Sequence, residues 1–267
     1  MYWYKVKNML IILFTLLNVF LLSMIIISNI RADKREKELS ETLLTVLEKN
    51  EISVDKEVLN GERTKLHVFK IENVVEDSFE FADKITGAST KKELDEAGNI
   101  CYTAGNKKVY INSGRFMMAD SAVPETTQTE EDIAAAKEFF EEIGVDLSGC
   151  DSEIKGDRIV FTYKINSVPV FEKQLYVKMY GGVMSECGGH LIKILNEEEN
   201  ENKELYVREA LLKFLRDPER EKTPFEVKGV NTGYWVILGN DSVSFKYTDA
   251  IPAYEVKTDK GSFYYYN

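Results

Sequence analysis

Histidine and cysteine are scarce in this 267-residue chain, which holds two of the first, His67 and His190, and three of the second, Cys101, Cys150 and Cys187. Two distant histidines do not supply the three or four ligands of a metal centre, and the cysteines lack the spacing of a zinc or redox motif. They read as structural, with at least one left unpaired; a disulfide between two of them stays open, because sequence separation does not fix geometry. A phosphate-cradling glycine loop and a G-x-S-x-G elbow are both missing. The segment Glu186-Cys187-Gly188-Gly189-His190 alone brings a nucleophile type near a base type. A Cys–His pair is an established nucleophilic arrangement, but three residues along a strand and glycine bend seldom set sulfur against imidazole. No catalytic residue, cofactor site or metal site is expected, and abundant carboxylates in an acidic chain carry no signal.

Acid is absent from the first 30 residues, which hold only Lys5 and Lys7 as charges. An uninterrupted apolar run fills Met9 to Ile30, and charge returns at Arg31. About 22 residues at about 1.5 Å each reach about 33 Å, enough to cross a hydrocarbon core of about 30 Å. A cleaved signal peptide shares this pattern, but the run exceeds the usual apolar length and Ile27 to Ala32 offers no small-x-small cleavage site. Tyr2, Trp3 and Tyr4 read as an interfacial anchor. Lysine and arginine on the two sides do not decide orientation. A short tail ahead of a large C-terminal part is the common signal-anchor arrangement, which puts the tail in the cytoplasm and the rest outside.

The chain has net charge −11, and removing the +2 of its first 30 residues leaves −13 on the remainder. Such acidity argues against nucleic acid or anionic lipid headgroups as the main partner.

Past the span, Arg31 to Asn50 continues as helix, with Leu39, Leu43, Val46 and Leu47 on one face. That stripe packs on the chain's own domain or pairs with a partner's juxtamembrane helix. Three helix-then-strands units follow. The first has a helix at 77–85 and strands at 100–103, 108–111 and 114–118, before a loop at 120–128. The second begins at Thr127 or Thr129, where Thr127-x-x-Glu130 has capping-box spacing; Ile133, Ala136, Phe139, Phe140 and Ile143 form an apolar face, and Gly144 stops the helix. Strands at 157–166, 168–180 and 182–195 turn at Asn166-Ser167 and Gly181-Gly182; Glu197 to Asn202 reads as a solvated turn. The third has a helix at 204–215, with Leu205, Arg208, Leu211, Leu212 and Leu215 on one side, and strands at 225–227, 233–238, 243–247, 253–258 and 262–266. Turns are expected at Gly239-Asn240-Asp241 and Asp259-Lys260-Gly261. Units of this kind imply an α+β fold, a single transmembrane helix followed by repeated helix plus antiparallel β-meander.

Asn18 sits near the bilayer midplane, with Thr15 one turn before and Leu22 one turn after it. An amide in hydrocarbon needs a hydrogen-bond partner, which a second membrane helix supplies; backbone bonding by Thr15 or Ser23 is the alternative account of polarity there. Thr15, Asn18 and Leu22 are the candidate partner interface.

The opening Trp3-Tyr4-Lys5-Val6-Lys7 before the apolar span, together with the closing stretch from Ile251-Pro252-Ala253-Tyr254 through Lys260-Gly261-Ser262-Phe263-Tyr264, resembles the YycI (WalI) family. The closing strand pair is also similar to the wider PepSY-like group. The resemblance implies a cell-membrane, non-catalytic extracytoplasmic regulator with no cofactor. Its partners would be a sensor histidine kinase of the YycG (WalK) type and a YycH-type sister protein, in a two-component system of cell-wall homeostasis in Gram-positive bacteria. With the pattern read above, the chain divides into a cytoplasmic tail at 1–8, a transmembrane helix at 9–30, a juxtamembrane helix at 31–50, a first α+β subdomain at 51–123 and, by the resemblance, a YycI-like α+β domain at 124–267. Two other functions fit the sequence: a PepSY-like inhibitor of an extracellular peptidase, and a bitopic scaffold of the division or sporulation machinery.

Overall fold

The computed structural model describes residues 2–59, 63–112, 114–122, 128–221, 224–238 and 245–266. From Tyr2 to Lys49 neither glycine nor proline interrupts the chain, and this stretch is one helix, α1 (Tyr2–Lys49), roughly 72 Å long. The apolar segment and the charged segment after Arg31 are therefore one rod. It ends in a turn where Glu51 takes φ 60 and the Asn50 amide donates to the Leu47 carbonyl at 2.9 Å.

Beyond α1 come β1 (Ile52–Val54), α2 (Lys56–Leu59), β2 (Thr64–Asn73), α3 (Phe79–Thr86), β3 (Lys91–Leu94), β4 (Ile100–Ala104), β5 (Lys107–Asn112) and β6 (Arg115–Asp120). Then follow α4 (Glu130–Glu142), β7 (Asp151–Lys155), β8 (Arg158–Ile165), β9 (Val168–Tyr180), β10 (Val183–Gly189) and β11 (Ile192–Leu205). Last come α5 (Val207–Arg216), β12 (Phe225–Val236), β13 (Tyr247–Thr258) and β14 (Gly261–Tyr266). The chain is α+β, with three helices each followed by antiparallel strands.

Among the described residues the strands run in the order β11-β2-β13-β12-β9-β10-β6-β5-β4-β3, with β1 beside β12, β14 beside β13, and β7 and β8 beside β9. Pairing is antiparallel except where β1 meets β12 and where β12 touches β9 through Tyr234 and Val170. That last junction joins a sheet packed by α3 and α4 to one packed by α5 and the end of α1. Two turns have the chemistry their sequence implies. Asn166 and Ser167 both take positive φ, as do Gly181 and Gly182, the left-handed pairs that close two-residue hairpins onto β9.

Phe140 of α4 meets Phe161 of β8 edge to face at 5.8 Å, both fully buried, and Leu175, Val177 and Met179 line the same interior. The apolar face expected for α4 is there: Ala136, Phe140 and Ile143 are buried, and Ile133 and Phe139 pack at its margin. Thr129 caps this helix, closing a capping box with Asp132. Of the two expected starts Thr129 is the cap, with Asp132 rather than Glu130 closing the box, and Thr127 lies outside the described residues.

Several boundaries differ from the sequence reading. The strand expected at 182–195 is two strands: β10 ends at Gly189 against β6 and β9, and β11 departs at Ile192 to pair with β2. The helix of the third unit starts at Val207, not at Glu204, since Glu204 and Leu205 still pair with β2. Glu197 to Asn202 belongs to β11 rather than a turn, carried by register shifts between Glu197 and Asn202 opposite Phe69 and His67. Residues 225–227 and 233–238 merge largely into one strand, β12, through an irregularity between Val227 and Gly229. The expected turn at Gly239-Asn240-Asp241 lies outside the described residues.

Candidate functional site

Val6–Met24 is the described stretch of α1 long and apolar enough to cross a membrane, and among the described residues none of it is buried. Trp3, Val6, Lys7, Leu10, Ile11, Phe14, Thr15 and Asn18 border one shallow concave face of this rod. The Thr15 hydroxyl donates to the Ile11 carbonyl at 2.8 Å and the Ser23 hydroxyl to the Phe20 carbonyl at 2.7 Å. Both hydroxyls are spent on their own helix, as Ser and Thr commonly are. Asn18 has no such bond among the described residues, so its amide remains open to a neighbour. Leu22, one turn further, is 62% exposed. Thr15 and Asn18 thus share a face, with Leu22 next along it.

At its far end α1 meets the folded domain. Leu43 and Leu47 are buried, while Leu39 and Val46 stay exposed. The stripe is split accordingly. Leu43 and Leu47 pack inward; Leu39, Thr42, Leu43 and Val46 together form one wall of an apolar groove of about 380 Å³. Tyr206, Arg208, Glu209 and Leu212 of the α5 region form the other wall. Leu212 was grouped by sequence with the buried side of that helix. The buried side is Ala210, Leu211 and Phe214, and Leu212, one residue round from Leu211, points to the groove.

The groove's α5 wall is braced from below. Tyr254 is fully buried in β13, and its hydroxyl accepts from the Tyr206 amide at 3.0 Å and donates to Glu209 Oε2 at 2.9 Å. Tyr206, the residue preceding α5, has no side-chain cap bond of its own. The phenol of Tyr254 therefore satisfies an amide at the helix start and fixes Glu209. Tyr206 is held in turn by its bond to Glu204 at 3.0 Å, beside the Arg63–Glu204 ion pair.

α1 is also tied mechanically to the sheet. It runs through Glu51, whose carbonyl accepts from the Phe225 amide at 3.0 Å, into β1, which pairs with the first residues of β12. Leu47 and Ile52, both fully buried, flank that turn.

The Cys187–His190 segment is occupied by packing. Cys187 is fully buried in β10 between Met118 and Val177, and burial pushes its thiol well above the usual range. A Cβ on Gly188 would sit 2.8 Å from the Phe116 carbonyl oxygen, and one on Gly189 would overlap the Gln174 carbonyl. The glycines let strands β6, β9 and β10 approach. His190 leaves the strand there, its amide donating to the Gln174 carbonyl. Burial, then the charges of Lys173 and Arg115, lower its imidazole to about 4. His67 lies partly buried in β2, opposite Asn202. Among the described residues no three His, Cys, Asp or Glu side chains cluster to hold a metal ion.

No protein-family model matches the chain, and no curated protein matches its sequence. Among solved structures it is similar to YycH from Bacillus subtilis, at 12% identity over 76% of this chain and 52% of that one, with a TM-score of 0.50. The chain has a YycH-like fold. It spans about half the length of that YycH structure. An uncharacterized protein from Eubacterium rectale is similar over 80% of this chain and 87% of its own, at 13% identity and a TM-score of 0.46. The Bacillus megaterium YpeB C-terminal domain is similar over 70% and 88%, at 12% identity and a TM-score of 0.27.

Proposed function

We propose that the chain is a non-catalytic, membrane-anchored regulator of the YycI type, with its tail in the cytoplasm and its α+β part outside. In this reading it acts with a YycH-type protein on a sensor histidine kinase of the YycG type, and α1 is the element that carries contact and signal. The observation behind it is a single face of α1. Trp3, Val6, Lys7 and Leu10 precede Leu39, Thr42, Leu43 and Val46 by 36 residues each, about ten turns at 3.6 residues per turn, so both sets share an azimuth on a straight helix. A partner helix running parallel to α1 would meet the concave membrane face below and the groove above.

Regulation requires that such a partner bind one kinase conformation better than another. A difference of about 1.4 kcal/mol along the helix face shifts a two-state equilibrium tenfold. Because α1 enters β1 without a flexible linker, displacement of the outer sheet is transmitted to the rod. The direct test reconstitutes the full chain with a YycG-type kinase in proteoliposomes and follows autophosphorylation. A changed rate that reverts when Asn18 and Val46 are both replaced supports the reading; a rate unaffected by the chain contradicts it.

A further inference from the structure

β11 is the outermost strand on its side of the sheet, so β2 lies along one of its edges and, among the described residues, no strand lies along the other. The alternation of an antiparallel pair fixes which backbone groups face that open edge. The Asn73 amide of β2 donates away from β11, to the Lys246 carbonyl at 2.8 Å, and the Ile192 amide opposite it turns away from β2 toward the Tyr163 hydroxyl at 3.5 Å. Leu191 and Val74, one residue along, face inward, the Val74 amide donating to the Leu191 carbonyl at 2.8 Å. Ile194 stands opposite Ile71, two residues on from Ile192 and in the same phase. Its N–H and C=O therefore both point outward, and neither forms a hydrogen bond among the described residues.

This edge borders a cleft of about 600 Å³, within the range of small-ligand and peptide pockets. Leu191 to Ile194 form one wall, the loop between α4 and β7 forms the other, and buried Tyr163 lies between them. The loop meets its own main-chain needs: the Val145 amide donates to the Phe140 carbonyl at 2.8 Å, the Cys150 amide to the Leu147 carbonyl at 3.0 Å and the Ser148 amide to Asp146 at 2.8 Å. The unmet donor and acceptor are thus on the β11 side. Carboxylates and ammoniums are nearly balanced in the lining, Glu72, Glu76 and Asp146 against Lys164 and Lys193, so charge selects little. β3, at the other end of the strand order, exposes Lys91, Lys92 and Glu93, the usual protection of a sheet edge. At the cleft β11 presents Ile194 and Leu195, each 37% exposed.

We propose that this cleft binds an extended peptide segment, which adds to β11 as a further strand and exchanges main-chain hydrogen bonds with Ile194. An extended chain supplies a donor and an acceptor at strand spacing, which is what the open edge lacks, and its pairing covers Ile194 and Leu195. Recognition runs through the main chain, so it tolerates varied side chains. The cleft shares no lining residue with the α1 groove, and the proposal does not rest on the regulatory reading.

The test uses the full chain in detergent micelles, with the photo-crosslinking residue p-benzoylphenylalanine in place of Ser148 on the loop wall and a biotinylated random pool of N-acetyl hexapeptide amides as probe. The expected result is saturable labelling that exceeds the labelling obtained with the same residue in place of Lys91 on β3. A pool N-methylated at every position, which has lost its main-chain donors, should compete about tenfold less well than the unmethylated pool. Ile194→Pro removes the outward N–H without removing a bond to β2 and should cut labelling about tenfold, while Ile194→Val should leave it unchanged. The methylation comparison keeps residue 194 intact, so it decides the matter even where the proline variant fails to fold. Labelling no greater than at Lys91, equal competition by the methylated pool, or undiminished labelling of a folded Ile194→Pro variant would each overturn the proposal.

Discussion

Leu43 and Leu47 near the end of α1 are 7% and 0% exposed, whereas Leu13, Leu16 and Leu22 of the same helix are 62%, 63% and 62% exposed. Both groups are leucines on one uninterrupted rod. What separates them is the neighbour: β1 and α5 cover the first group, and among the described residues nothing covers the second. Burial is thus a property of the assembled surface, and on the proposed reading the uncovered leucines are those that lipid or a partner helix takes. Leu39 and Val46 sit between the two regimes, in the folded part yet exposed.

The strongest test of this contrast is Leu47→Ala against Leu13→Ala. Loss of the fully buried side chain is expected to cost about 2–5 kcal/mol in denaturant unfolding of the folded α+β part, and loss of the uncovered one less than about 0.5 kcal/mol. Equal costs would dissolve the comparison. Tyr254→Phe should come next, at about 1–3 kcal/mol, because it strands the Tyr206 amide and frees Glu209 while leaving the ring in place. A thermal midpoint unchanged by this substitution would show that α5 does not rely on that phenol.

A smaller effect separates the sheet interior by pH. His190 titrates at about 4 in the folded chain against 6.5 for an unperturbed imidazole, so the unfolded state takes up the proton first as pH falls. The stability it contributes is complete above about 6.5 and declines as pH drops toward about 4. His190→Gln should flatten that slope by up to one proton; an unaltered slope between pH 7 and pH 4 would refute the assignment.

The sequence pattern reached the long apolar N-terminal helix, its continuation past Arg31, the three helix-then-strands units and the hairpins at Asn166-Ser167 and Gly181-Gly182. Those signals are local: apolar run length, period, and residues suited to positive φ. What it missed was set by pairing at a distance. β1 is three residues long and exists because β12 lies beside it. The acidic run 197–202 reads as solvent-facing loop, yet β2 draws it into a strand with irregular register. β10 and β11 look like one strand because nothing between Gly189 and Ile192 signals that the chain changes neighbours. The groove was half legible: Leu39 and Val46 stood out on the α1 stripe, but the opposite wall depends on how α5 is rotated by Tyr254, a contact 45 residues away from Glu209.

The central claim is that one face of α1 carries a parallel partner helix from membrane to groove. The measurement that tests it most directly is site-specific crosslinking in native membranes at Asn18, Leu22 and Val46 of the full chain, with identification of the captured protein, repeated at Leu22 and Val46 with Asn18→Leu. The account predicts that a sensor histidine kinase or YycH-type protein is captured from all three positions. Asn18→Leu should weaken that capture by an amount on the order of 1 kcal/mol, roughly fivefold. Capture of different proteins from the membrane and groove positions, or an undiminished yield with Asn18→Leu, would contradict it.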